Sequence, residues 1–425
     1  MNTRRAFLKR SCAAGSLLLA GGLAGCTPGT GSAQPQTSAV ADDALKAILQ
    51  QPVLRRELFP DPVTIASVDL LQNGKYFIVC ARSTDGAEGF AIANEAHMRS
   101  LWPVFLRKVA PFFEGKDARD LDRLVEDCFR HDSSYKYQSL AIWLPIASAE
   151  FAILDLLGQI SGRPVGALVG EVIRSSIDVY RANNFRGRSA EESVERIVER
   201  HQAEKSRAVK FKVGGRMNLP EEPPGRSERL IPMVRDALGD EVTIYADANG
   251  SYDVVEAVRI GRMLEEIDAA FFEEPCPFDW LWETKEVGDA LSIPIAGGEQ
   301  EGSMRRFRWM VANDGVQVFQ PDLLYFGGLI RSIKVARMAE AAGKECTPHM
   351  SGAGLGALYV LHYASAVPNP GPFQEYKGAN KEIPFESTSV SLEARDGQVP
   401  VPTGPGLGVR LDPDWIAQSQ ILKQV

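Results

Sequence analysis

The sequence predicts an α/β protein, a closed barrel of the TIM type preceded by a smaller α+β domain. Two observations carry this. Between about residues 176 and 384, eight short apolar runs alternate with amphipathic stretches of helical length. Continuous apolar runs mark parallel strands covered on both faces, and eight of them with seven helical connections close a barrel rather than fill an open sheet. Ahead of them, two strand-like runs meet at a hairpin signal and three helical patterns follow, which is an α+β texture.

In chain order, residues 1–26 read as an export signal. Thr3-Arg4-Arg5-Ala6-Phe7-Leu8-Lys9 precedes an apolar run from Ala13 to Ala24 that is too short to span a bilayer. The paired arginines resemble a twin-arginine signal, and Leu23-Ala24-Gly25-Cys26 resembles a bacterial lipobox with Cys26 as the lipidated residue. The expected location is periplasmic or cell-surface, with membrane attachment only through that lipid. Residues 27–59 form a tether and lead-in, rich in Gly, Pro, Ser, Thr and Gln up to residue 42. Residues 60–170 form the α+β domain: Val63–Leu71 and Lys75–Arg82 flank Asn73-Gly74, and helical patterns run from about Glu95 to Pro111, Asp117 to Arg130 and Leu144 to Leu157. Residues 171–384 form the barrel, with strands near 177, 208, 242, 269, 293, 316, 344 and 372. Residues 385–425 lack the barrel repeat and are expected to return to the first domain.

The chain has 425 residues and a formal charge of −8. That acidity argues against nucleic acid as a partner, while leaving room for a locally positive site that takes a small anion. Cys80, Cys128, Cys276 and Cys346 lie far apart with no CxxC pair, so a zinc site is not expected; an oxidising compartment would let them pair, and folding before export would leave four buried thiols.

The active site of such a barrel lies at the C-terminal ends of its strands. There the sequence places Lys210 and Lys212, then Asp247 with Asn249, Glu273, Glu299, Asp322, His349 and Glu375. The three acids are evenly spaced, 273 − 247 = 26 and 299 − 273 = 26, one barrel unit per step. Three converging carboxylates repel one another unless a cation joins them, and an all-oxygen set suits Mg²⁺. Lys210 and Lys212 lie two apart and so share a strand face at the barrel mouth. Mutual repulsion lowers a lysine pKa, which would suit a general base. His349 follows Asp322 by one unit, so the carboxylate can orient the imidazole. Glu375, if protonated, would donate a hydrogen bond to a developing oxyanion.

Lys210-Phe211-Lys212, Asp247-Ala248-Asn249, Glu273-Glu274-Pro275, Gly298-Glu299, Pro321-Asp322 with Gly327-Gly328, Pro348-His349 and Glu375 together resemble the enolase superfamily in its mandelate racemase-like subgroup. The resemblance spans about residues 60–425. It implies a (β/α)7β barrel with an N-terminal α+β capping domain, and Mg²⁺-assisted removal of the proton α to a carboxylate. Asp247, Glu273 and Glu299 match the metal ligands, Lys212 the base on one face, and His349, held by Asp322, the acid or base on the other. Glu375 matches the group that hydrogen-bonds the enediolate, and Lys210 stands beside Lys212 as a second catalytic or substrate-binding cation. Asn249, Arg181, Asn183 and Trp102 are further substrate-binding candidates, with His97 to Val104 as a lid segment. The tight turn at Asn73-Gly74 departs from the longer lid of that family. The expected partner is a small carboxylate, a sugar acid, and a homo-oligomer is expected. The expected reaction is dehydration to a 2-keto-3-deoxy acid. The alternatives are a racemase, epimerase or cycloisomerase, and a non-catalytic lipid-anchored binding protein.

Overall fold

The computed structural model describes residues 40–352, 354–379 and 382–423. The expectations for residues 1–26, lipidation of Cys26 included, and for the tether up to residue 39 lie outside the described residues.

The lead-in is not all tether. Asp42–Gln50 forms helix α1, whose Leu45 is buried against the barrel helices Met304–Ala312 and Leu329–Ala341. The first sheet holds β1 (Ile65–Asn73), β2 (Tyr76–Ser83) and β3 (Glu88–Ile92), all antiparallel. Gly74-Lys75 alone joins β1 to β2, with Gly74 at φ +56, the positive φ that a tight hairpin requires at its first turn position. The chain then runs through α2 (Glu95–Val104), a π-helical turn at Phe105–Val109, α3 (Ala110–Phe113) and α4 (Leu121–Arg130). The predicted helix over 95–111 is therefore one bent helix that continues to 113, widened where Phe105, Leu106 and Val109 turn inward.

Helix α5 (Leu140–Ser161) is longer than the predicted 144–157 and buried from Ile142 to Gly158. It is long and apolar enough to cross a membrane, but it is a core helix here, packed on β2, β3 and α4. At Gly89 of β3 a Cβ would lie 2.1 Å from the Leu156 backbone nitrogen, so only glycine lets strand and helix approach this closely. Asp155 of α5 accepts from Phe90 N and from Leu407 N, both at 2.7 Å. Gln420–Ile421 adds to the open edge of β1, while Gln398–Pro400 pairs antiparallel with the barrel strand Ser176–Ala182, so the C-terminal segment touches both the first sheet and the barrel. A short helix, α6 (Val165–Val169), leads into the barrel.

The barrel strands are β4 (Ser176–Ala182), β5 (Ala208–Lys212), β6 (Thr243–Asp247), β7 (Phe271–Glu273), β8 (Ile295–Gly297), β9 (Val318–Phe319), β10 (Glu345–Cys346) and β11 (Gln374–Tyr376). Seven helices connect them: α7 (Ala190–Glu204), α8 (Arg226–Leu238), α9 (Val254–Glu266), α10 (Leu281–Ala290), α11 (Met304–Ala312), α12 (Leu329–Ala341) and α13 (Ala357–Ala366). The strands pair in parallel from β4 through to β10, and β11 pairs β4. This is the (β/α)7β order. No backbone ladder joins β10 to β11 among the described residues.

Tyr180, Ala208, Tyr245, Phe271, Ala296 and Val318 fill the barrel interior, with the Tyr245 and Phe271 rings stacked at 4.0 Å. Side chains alternate along a strand, so the interior position two residues further on is Lys210, Asp247 or Glu273. That apolar layer is the floor on which the charged layer stands. Cys80, Cys128, Cys276 and Cys346 are buried and free.

Candidate active site

Lys212, Asp247 and Glu273 are cross-strand neighbours in register. After β8, Gly298 at φ +112 turns Glu299 inward to join them. One oxygen from each of Asp247, Glu273 and Glu299 lies within 4.8 Å of the others, and all three residues are buried. Glu273 Oε1 has no hydrogen-bond partner, and Glu299 Oε2 has beside it only the His349 Nε2 at 3.2 Å. A buried carboxylate oxygen without a donor is costly, and three such groups sharing one point, with no sulfur or imidazole among them, fit a hard divalent ion such as Mg²⁺.

Lys210 is fully buried. Its Nζ lies 2.7 Å from Glu273 Oε2, 3.4 Å from Glu375 Oε1 and 3.8 Å from Asp247 Oδ2. Burial works against its charge, but Glu273 and Glu375 outweigh burial and raise its pKa well above the ordinary lysine value. The expectation of a lowered pKa therefore fails for Lys210, because three carboxylates lie within 3.8 Å of its Nζ. Lys212 contacts Asp247 and opens to the cavity. Burial pushes the Asp247 pKa up, but Lys212, Lys210 and Arg186 hold it down at about 2. Burial and the neighbouring Asp247 raise Glu273 to about 7.

Across the triad, His349 Nδ1 lies 2.6 Å from Asp322 Oδ2, while its Nε2 lies 3.2 Å from Glu299 Oε2 and 3.5 Å from Glu375 Oε2. Asp322 is fixed in turn, its Oδ1 accepting from Leu324 N and Tyr325 N. Burial disfavours the imidazolium, but Glu299, Glu375 and Asp322 raise the His349 pKa overall. Glu375 is not the protonated donor expected. Burial would neutralise it, but Lys210, Lys377 and His349 surround it and hold its pKa well below the ordinary value. Its Oε2 instead accepts from Met350 N at 2.9 Å.

A cavity of about 730 Å³ opens above these groups, lined by Lys212, Asn249, Glu299, His349 and Glu375 among others. Asn249 lies at its edge, its Oδ1 taking a 2.8 Å hydrogen bond from Arg186. Arg181 is out of phase with the interior face: Tyr180 and Ala182 turn inward, and the Arg181 guanidinium reaches Glu204 at 3.1 Å instead. Asn183 lines the cavity, its amide donating to the Lys210 carbonyl and its Oδ1 accepting from Arg200. Trp102 lies within a helix rather than a loop, packs on the core and does not line the cavity. Its neighbour His97 does, with Nε2 2.9 Å from Tyr325 Oη.

Three site residues were missed. Lys377 lies two residues past Glu375, so the alternation that singled out Lys210 and Lys212 would have found it, and its Nζ is 3.5 Å from His349 Nε2. Glu274, inside the Glu-Glu-Pro motif, is buried beside Asn249 and faces the cavity. Arg186 gave no sequence signal. It sits in a loop, yet its guanidinium bonds the carbonyls of Val213, Gly214 and Asp247 as well as Asn249.

A family model described as Enolase C-terminal domain-like matches residues 190–415. An arabinonate dehydratase of Saccharolobus solfataricus is 26% identical over 328 residues, covering 77% of this chain and 85% of that protein. A D-galactarolactone cycloisomerase of Agrobacterium fabrum is 28% identical over 315 residues, 72% and 81% of the two chains. The solved mandelate racemase/muconate lactonizing protein of Paracoccus denitrificans, complexed with magnesium, superposes with a TM-score of 0.77 at 27% identity, covering 85% of this chain and 100% of that one.

Proposed function

The chain belongs to the Enolase C-terminal domain-like family, within the mandelate racemase-like subgroup of the enolase superfamily, and from that premise we propose that it dehydrates a sugar acid to a 2-keto-3-deoxy acid. It is a Mg²⁺-dependent enzyme, a lyase or isomerase, which sets aside the binding-protein alternative.

One observation carries the proposal. Lys212 and His349 stand at opposite sides of the carboxylate triad, one in contact with Asp247 and the other 3.2 Å from Glu299. Asp247, Glu273 and Glu299 would hold the ion, which would supply positive charge where the substrate carboxylate gains electron density. Lys212 Nζ exchanges the α-proton on one face. His349 donates Nδ1–H to Asp322, so Nε2 is the atom that meets substrate on the other face, and as imidazolium it protonates the departing β-hydroxyl. Lys210, whose charged form Glu273 and Glu375 favour, offsets their negative charge and favours an anionic substrate in the space beside them. Returning the proton from the opposite face would give a racemase or epimerase with the same groups.

The test is a screen of the Mg²⁺-loaded protein against sugar acids in D₂O. Keto-acid formation supports the dehydratase. Deuterium uptake without keto acid would replace it with the isomerase. Residues 1–26 we read as an export signal lipidated at Cys26, which mass spectrometry of the membrane-extracted protein would reveal as an acylated N-terminus.

A further inference from the structure

The strand that carries Glu375 also carries a cation that the proposed chemistry does not use. Lys377 follows the last residue of β11 and lines the same cavity. Side chains two apart on a strand share a face, so Glu375 and Lys377 repeat on β11 the spacing of Lys210 and Lys212 on β5. In each pair the lower member is buried and the upper one is open. The Lys210 and Glu375 side chains are 1% and 2% exposed, against 32% for Lys377.

The ammonium of Lys377 donates to the Met350 carbonyl and lies 3.7 Å from Glu375 Oε1 and 3.5 Å from His349 Nε2. Glu375 has other partners, Lys210 at 3.4 Å and the Met350 N–H at 2.9 Å. An ammonium has three N–H donors, and the carbonyl takes one, so donors remain on a side chain that opens to the cavity. They stand beside the atom that meets substrate, because His349 Nδ1 is committed to Asp322 at 2.6 Å and Nε2 is the ring nitrogen left over. One oxygen can stand within hydrogen-bond distance of two nitrogens that are 3.5 Å apart.

We propose that Lys377 is a catalytic residue of the elimination step, its ammonium donating a hydrogen bond to the substrate's β-oxygen while His349 protonates that oxygen. The proposal rests on the dehydratase reading and adds a group to it. Once the α-proton has passed to Lys212, the electron pair it leaves behind forms the Cα–Cβ double bond. The Cβ–O bond breaks with its pair going to oxygen, the proton on His349 Nε2 joins that oxygen, and water departs. Lys377 keeps its protons, and its charge stabilises the oxygen as negative charge develops on it. The merely structural role would be to tie β11 to the segment after β10 through the Met350 carbonyl.

The experiment uses the full chain with Mg²⁺ and two probes. One is a sugar acid that the wild type dehydrates in the D₂O screen, and the other is its 3-deoxy-3-fluoro analogue, whose leaving fluoride needs no proton. Lys377→Met should lower kcat for keto-acid formation by about 10²- to 10³-fold, the cost of losing one donor to a developing oxyanion. Exchange of the α-proton through Lys212 should stay within threefold of wild type. On the fluoro analogue the deficit should shrink at least tenfold, and Lys377→Arg should restore part of the lost kcat on the hydroxy acid. An unchanged kcat overturns the proposal. So does an equal loss on both probes with exchange falling alongside, which would leave Lys377 as a structural tie. Both results leave the dehydratase reading standing. A wild type that forms no keto acid from any acid in the screen overturns that reading and the role of Lys377 with it. Should Lys377→Met fail to fold, Lys377→Gln keeps a donor for the Met350 carbonyl and decides by the same ratio of the two probes.

Discussion

Replacing Lys212 with alanine separates the two jobs that its position allows. Its ammonium contacts Asp247, which is fully buried, and it also opens to the cavity. As the proton-transfer group for one face, its loss should slow α-proton exchange by about 10²- to 10⁴-fold, the usual contribution of a positioned acid or base. That corresponds to about 3–5 kcal/mol of barrier. The effect on metal binding has the opposite sign. A unit charge about 4 Å from another is worth about 4 kcal/mol at an effective dielectric of 20, and Lys212 places such a charge against one of the three proposed ligands. Removing it leaves Asp247 a better ligand, so Mg²⁺ affinity should hold or rise. The assay pairs NMR-detected exchange in D₂O with calorimetric titration of Mg²⁺ on the same preparation. Glu273→Gln is the contrast, because it removes a ligand charge and should weaken Mg²⁺ binding. Unchanged exchange in Lys212→Ala would refute the proton-transfer role. Exchange and metal affinity falling together would show Lys212 to be a prop for Asp247 and nothing more.

Asp322→Asn keeps an acceptor for Leu324 N and Tyr325 N but removes the charge beside His349 Nδ1, so the histidine pKa should drop. The pH–rate profile should shift to lower pH, with a loss of about 10²-fold or more in proton transfer on that face, and an unmoved profile counts against the pairing. Burial depresses His362 to about 4, and its Nδ1 accepts from Gly166 N at 3.2 Å. A histidine with a folded pKa below its unfolded value contributes stability that is present above about pH 6.5 and lost as pH falls toward 4, about 3 kcal/mol in all. Asp155, raised by burial to about 6, gains stability over the same range, so the readout is the difference between wild type and His362→Gln, which keeps an acceptor for Gly166. A difference that does not change between pH 7 and 4 refutes the assignment. Gly328 sits at φ +110 and ψ −176, where a Cβ would fall 1.6 Å from Glu150 Oε2. Gly328→Ala should expel the carboxylate that accepts from Leu329 N at 2.6 Å and Ile330 N at 3.0 Å. The combined strain and lost hydrogen bonds amount to about 4 kcal/mol or more, and an unchanged denaturation midpoint would refute that account.

The sequence was most readable where one periodicity governs both fold and chemistry. Asp247 and Glu273 end strands whose preceding interior residues, Tyr245 and Phe271, are bulky and apolar, so a single alternation predicts core and ligand together. It failed where charge balance depends on distance. Two lysines two residues apart suggested repulsion, yet Lys210 lies 2.7 Å from Glu273, and only the closed barrel brings those strands together. The state of Glu375 was misjudged because Lys377, which helps hold it ionised, was left out of the count. Arg181 was misplaced by one residue of phase. Helices cover the outside of β4 as the core covers its inside, so hydrophobicity does not say which face a polar residue takes. Trp102 belongs to a helical period that reads equally well as a lid or as packing. Arg186 was invisible because a loop arginine bonded to carbonyls carries no spacing at all.

The two ends of the barrel sheet, β10 and β11, meet without a backbone ladder among the described residues. Across the gap Glu375 reaches Met350 N at 2.9 Å and His349 Nε2 at 3.5 Å, Lys377 donates to the Met350 carbonyl, and Gly354 N donates to the Gly378 carbonyl at 3.2 Å. The last join of the wall is therefore made largely by side chains, Glu375 and Lys377, that also line the cavity. Main-chain ladders elsewhere hold the proposed ligands Asp247 and Glu273 in register. At the join, a small shift of the imidazole and its carboxylate breaks no strand pairing. The barrel thus sets Lys212, Asp247 and Glu273 on its laddered arc and His349 with Glu375 at its unladdered seam, so the two proposed proton-transfer groups hang from differently held parts of the wall.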